Sequence, residues 1–150
     1  YLLYESFYDL PIDIYAKGGF AYFNDLTLDS PNKARHRNTF ELTAYIKAYY
    51  NFGTNKTYRI GVAEGGSYVT NRLYSEWYET QYENDDPNVK FLNYLEISFD
   101  ANLGKLFNTQ KLADTYAGWA IKHRSGIAGL INSVSSGGSN YNTFYLEINF

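Results

Sequence analysis

The sequence predicts an all-β chain, an antiparallel up-and-down β-barrel whose strands cross a membrane. Three observations predict it. Apolar and polar residues alternate with period 2 through most of the chain, short turns alternate with long polar loops, and 17 Tyr, 10 Phe and 2 Trp occur among 150 residues. Successive side chains of a strand point to opposite faces, so such runs mark strands with one apolar side. The aromatic load suits the girdles that flank a membrane-spanning wall. The length suits one domain, residues 1–150.

Leu2–Tyr8 reads as the tail of a strand. Ile12–Phe23 follows, with Asp13, Tyr15 and Lys17 on its polar side. Thr39–Phe52 sets Phe40, Leu42, Ile46 and Tyr50 on one face against Glu41, Thr43, Lys47 and Tyr49 on the other. Tyr58–Tyr68, Phe91–Leu103, Thr115–Ser125 and Asn140–Phe150 continue the pattern. These runs exceed the ~5–6 residues usual in soluble sheets. They match the ~9–11 residues with which a strand crosses a bilayer. Seven runs are visible, the first partial. Single-chain bacterial barrels have an even number, so eight strands are expected, one of them upstream of Tyr1 or folded into "YLLYESFY". Met is absent, which suggests removal of a signal peptide. A helical turn is expected only around Arg72–Tyr82.

The turns Asp9–Pro11, Gly53–Asn55 and Gly104–Gln110 are short, and Asn24–Asn38, Thr70–Lys90 and Gly126–Ser139 are long. Short periplasmic turns opposite long extracellular loops are the pattern of a bacterial outer-membrane barrel. Phe150 ends a face shared with Phe144, Leu146 and Ile148, similar to the terminal aromatic of such barrels. The expected location is the bacterial outer membrane, and the expected partner an outer-membrane lipid or lipopolysaccharide.

Alternation alone does not say which face points inward. An apolar interior would make a soluble, lipocalin-like binding barrel. An apolar exterior would place Asp13, Glu41, Glu96, Asp100 and Glu147 inside with Lys17, Lys47, Arg59, Lys122 and Arg124, five acids against five bases. Glu64 departs from that scheme, falling with Tyr58, Ile60 and Val62, and Gly65–Gly66 are expected to bulge there and reset the facing.

Several classes are excluded or disfavoured. A net charge of −3 without a Lys/Arg stripe gives no case for nucleic acid. The absence of Cys excludes disulfides and thiolate zinc sites. No apolar run approaches the ~20 residues of a transmembrane helix. No metal or cofactor is expected. The acidic "ENDDPN" (Glu83–Asn88) lacks EF-hand spacing, and "GVAEGGS" (Gly61–Ser67) lacks the ending of a phosphate loop.

The stretch "AIKHRSGIAGL" (Ala120–Leu130) puts His123 and Ser125 on one face of a strand, the face shared with Trp119 and Ile121, near a long loop. A Ser hydroxyl becomes nucleophilic when an adjacent base takes its proton, and His supplies such a base. "HRSGIAGL" followed by "NYNTFYLEINF" resembles the end of the lipid A 3-O-deacylases, or acyloxyacyl hydrolases, over about 35 C-terminal residues. The resemblance implies an eight-stranded outer-membrane barrel that removes an acyl chain from lipid A, with His123 as base and Ser125 as nucleophile. Asn140 stands where the family has the acid that orients the His, and Gly126 where it has an oxyanion-hole Asn. Gly126, Asn132, Asn142 and the Gly137 backbone are the substitute oxyanion candidates, and Glu76 or Glu79 a substitute acid. The rival reading is a barrel without catalysis, serving as anchor or subunit of an envelope assembly. Arg35, His36 and Arg37 form a basic cluster that reads first as an ordinary solvated loop and, as the alternative, as a contact for lipopolysaccharide phosphates. "VSSGGSN" (Val134–Asn140) reads as a loop tip beside the site.

Overall fold

A computed structural model describes residues 1–23, 38–71, 73, 76, 89–126 and 138–149. Seven strands form one antiparallel sheet in chain order: β1 (Leu2–Tyr4), β2 (Ile12–Phe23), β3 (Thr39–Phe52), β4 (Tyr58–Val69), β5 (Phe91–Asn102), β6 (Thr115–Ser125) and β7 (Gly138–Ile148). Period-2 patterning with β-branched and aromatic residues gives β2–β7 their length.

Local departures have local causes. The first strand stops at Tyr4, because Ser6 and Tyr8 take left-handed conformations (φ 48° and 51°) and Phe7–Asp9 forms a 3-10 turn. The Ser6 N–H donates to Asp13 Oδ1 at 3.0 Å, which ties that kink to β2. The fifth strand ends at Asn102, whose Oδ1 accepts from the Lys105 N–H at 2.8 Å and caps a single helical turn, α1 (Leu103–Leu106). A Cβ on Gly104 would lie 2.6 Å from the Ala113 Cα, so only glycine admits this backbone approach. Within the expected turn Arg72–Tyr82, Glu76 is helical, and most of the rest lies outside the described residues.

The sheet curls strongly. Lys17 of β2 sits 2.6 Å from Glu147 of β7, and the Phe23 and Tyr141 rings are 5.3 Å apart. No backbone pairing joins β7 to β1 or β2, so the sheet is open, and no eighth strand occurs among the described residues. A cleft of about 680 Å³ lies along this seam, lined in part by Tyr15, Lys17, Lys122, Tyr145 and Glu147.

The concave face is polar. Arg59 makes a bidentate pair with Asp100 (2.6 and 3.0 Å) and reaches Glu147 at 3.2 Å. Its guanidinium stacks 3.4 Å from the Tyr116 ring centroid. Lys47 pairs with Glu96, which also accepts from Tyr94 Oη at 2.5 Å. Asp13 accepts from Asn51 Nδ2 at 2.8 Å. A buried charge is tolerated only when paired and hydrogen-bonded, and the five acids and five bases meet that condition largely through one another and through Tyr hydroxyls.

The convex face is apolar. Phe144 is 85 % exposed, Leu146 73 %, Phe20 67 % and Ile97 59 %. This polarity is the reverse of a water-soluble barrel, and it removes the apolar interior that a lipocalin-like reading requires. The register of β3–β4 and β4–β5 is unbroken, so the bulge expected at Gly65–Gly66 does not form. Glu64 stays on the convex face between Ile46 and Leu95.

Candidate functional site

One polar patch interrupts the convex apolar wall, at the end where β4–β5 and β6–β7 join their long loops. Strand parity carries Trp119, Ile121, His123 and Ser125 outward and Lys122 and Arg124 inward. Pairing extends the row sideways: Glu64 opposes Leu95, Leu95 opposes His123, and His123 opposes Asn140. One step nearer the loops, Gly66 opposes Asn93 and Asn93 opposes Ser125.

His123 and Asn140, expected as base and orienter, are in contact. His123 Nδ1 lies 2.8 Å from Asn140 Oδ1. An amide oxygen only accepts, so this bond places the proton on Nδ1 and leaves the Nε2 lone pair free to take a proton in the neutral imidazole. A carboxylate in the same place would also stabilise the imidazolium that forms on protonation, which a neutral amide does far less. Ser125 lies two residues along the same face, about 7 Å away along the strand. No hydrogen bond joins it to His123 in this arrangement.

The substitute candidates separate. Gly126 is buried directly after Ser125. Asn142 opposes Ile121, four residues from Gly138, the partner of Ser125, and so lies about 13 Å along the strand from it. Glu76 is drawn to the concave side, where it accepts from Arg124 Nη1 at 2.5 Å and Ser139 Oγ at 2.6 Å. Arg124 Nε is also 3.5 Å from Glu41. Burial pushes the Glu76 carboxyl above its ordinary range, against the pull of Arg124. Glu76 therefore cannot orient His123, which leaves β6 on the opposite face. Asn132, Gly137, Glu79, the Arg35–His36–Arg37 cluster, Glu83–Asn88 and most of Val134–Asn140 lie outside the described residues. Gly61–Ser67 is plain strand within β4.

Asn93 and Glu64 are the patch residues that site reasoning from the sequence passed over or left unexplained. A signal for Asn93 existed: it interrupts the outward series of Phe91, Leu95, Ile97 and Phe99. Further down the same wall, Phe99, Ala117, Trp119, Phe144 and Leu146 line an apolar groove of about 690 Å³, with the small Ala117 as part of its floor. Among the described residues no group of three or more His, Asp or Glu is placed to hold a metal ion. Comparison of the chain with family models, curated proteins and solved structures finds no match.

Proposed function

We propose that this chain is an outer-membrane β-barrel that hydrolyses an acyl ester of a lipid at the headgroup boundary of the outer leaflet. The observation that carries the reading is the His123–Asn140 contact beside Ser125, on the convex wall of a sheet whose charges are all but confined to the concave side. A hydrogen-bonded imidazole facing bulk lipid has no packing role that an aliphatic residue would not fill better. At the headgroup boundary it meets ester carbonyls. The charged, internally paired concave face and the exposed apolar belt support membrane insertion, because hydrocarbon accepts the belt and the backbone pairs within the sheet. Closure across the seam completes the barrel, since an open edge is not tolerated in lipid.

The chemistry follows from the side chains. Ser125 Oγ attacks the ester carbonyl while His123 Nε2 takes its proton, and Asn140 holds the ring through Nδ1–H. Collapse of the tetrahedral adduct expels the alcohol, which leaves with the proton from His123. Water then releases the acid by the same steps. Closing the distance between Ser125 and His123 requires a rotamer change within the site, as catalytic hydrogen bonds often tighten only around substrate. The groove below would take the acyl chain. The resemblance to lipid A 3-O-deacylases makes a lipid A acyl ester the first substrate to test.

The amide at Asn140 favours a second reading, a scaffold with the chemistry lost. Mass spectrometry of lipid A from envelopes expressing the chain, or its Ser125→Ala variant, separates the two. Loss of one hydroxyacyl chain only with the intact protein supports hydrolysis. Unchanged lipid A in both, with a heat-modifiable folded band present, leaves the scaffold.

A further inference from the structure

Asn93 is out of place on every structural criterion. It lies on the convex face of β5 among Phe91, Leu95 and Ile97, yet it is only 5 % exposed. Its side-chain Nδ2 is buried and has no hydrogen-bond partner among the described residues. Leaving a buried donor unsatisfied costs about 1–3 kcal/mol, and Asn is disfavoured in strands in any case. A Leu or Val here would pack without that cost.

Its neighbours say what the amide is for. On the β4 side it opposes Gly66, which has no side chain, and the Phe91 ring fills that space, 2.7 Å from where a Gly66 Cβ would be. On the β6 side it opposes Ser125. Directly opposed residues on one face hold their Cβ atoms about 4.5–5.5 Å apart. The carboxamide thus has an aromatic wall on one flank and the nucleophile on the other. The position after Ser125 is Gly126, so that position offers no side-chain donor.

We propose that Asn93 supplies the side-chain donor of the oxyanion hole for Ser125. This rests on the acyl-ester reading above. As the Ser125 Oγ–carbon bond forms, the carbonyl π pair moves to oxygen, and Asn93 Nδ2–H donates to that oxyanion. The bond is made only in the adduct, so it lowers the barrier without tightening ground-state binding. The donor is already desolvated in the resting fold, and a turn of the Asn93 amide toward Ser125 brings it to the adduct.

The test uses the purified full chain in detergent micelles with p-nitrophenyl palmitate, together with a fluorophosphonate probe for reactive serine. Expected for Asn93→Ala is a fall in kcat of about 10²–10³ with little change in KM, and fluorophosphonate labelling slowed in parallel. The heat-modifiable unfolding temperature should hold or rise, because an unsatisfied buried donor is removed. Asn93→Ser, which keeps a short donor, should retain more activity than Asn93→Ala. Full activity in a folded Asn93→Ala variant overturns the assignment and leaves the esterase reading intact. Equal losses in both variants with earlier unfolding make Asn93 structural and overturn it too. An inert wild type whose Ser125 does not label overturns both readings together.

Discussion

His123 and Asn140 face each other across β6 and β7, with Nδ1 and Oδ1 2.8 Å apart. The pair fixes the tautomer but supplies no negative charge, so in the proposed hydrolysis it would orient the base and leave the imidazolium under-stabilised. Asn140→Asp adds the charge at the same geometry. We expect kcat for ester hydrolysis to rise about tenfold to a hundredfold, equivalent to about 1.4–2.7 kcal/mol of barrier. Asn140→Leu should lower it, since the ring then loses its anchor. Steady-state rates on a micellar ester decide this, and an Asp variant that folds but runs no faster removes Asn140 from the machinery.

The convex face makes a prediction independent of catalysis. Ile97 sits mid-strand, 59 % exposed, opposite Val62 and Ile121. In water an Arg there would be harmless. Against hydrocarbon it costs about 2–4 kcal/mol at the bilayer midplane. Reversible unfolding from phospholipid vesicles should show that loss for Ile97→Arg, and an unaffected midpoint would mean that this face does not meet lipid.

Arg124 holds the loop residue Glu76 against the concave wall and also approaches Glu41. Arg124→Met leaves buried carboxylates without their cation, a change that typically costs about 3–5 kcal/mol. Glu76→Leu in the same chain should restore part of it. The pH dependence has a definite sign. A carboxyl raised by burial binds its proton more tightly in the folded state, so the Glu76 contribution is fully present at acid pH. It declines as pH rises from the ordinary carboxylate value through the raised one. Without Arg124 that decline should steepen, and melting temperatures of wild type and the Arg124→Met variant across pH 4 to 8 measure it. Parallel curves for wild type and Arg124→Met would mean that the pair does not govern loop docking.

The strands were legible because alternation is local: Thr39–Phe52 and Thr115–Ser125 carry their facing residue by residue, and those bounds are reproduced. The Leu2–Tyr8 piece was not, because the kink at Ser6 depends on Asp13, a contact no local pattern encodes. Which face is concave was equally hidden, since Lys17 and Glu147 meet only when six strands have curled. His123 and Ser125 were visible as a motif, and Asn140 by counting back from the C-terminus. Asn93 became visible only through register, because its opposition to Ser125 joins residues far apart in the chain. Glu64 looked anomalous alone and belongs to a polar patch once β4, β5 and β6 lie side by side.

On the proposed reading, the groove below the site holds the acyl chain of the ester. Ala117 opposes Ala101 and Leu146, and its small side chain leaves open the space below the row of Phe99, Trp119 and Phe144, beside Leu146. Ala117→Phe would fill that space without touching His123 or Ser125, which lie six and eight residues along β6. One lost methylene contact is worth about 1 kcal/mol or slightly more. A filled groove should therefore lower kcat/KM for long-chain esters by at least about tenfold and leave short-chain esters nearly unchanged. Comparing p-nitrophenyl butyrate with p-nitrophenyl palmitate separates the two effects. Equal losses on both esters would show that the acyl chain leaves Ser125 by another route, and no loss on either would show that it does not enter this groove at all.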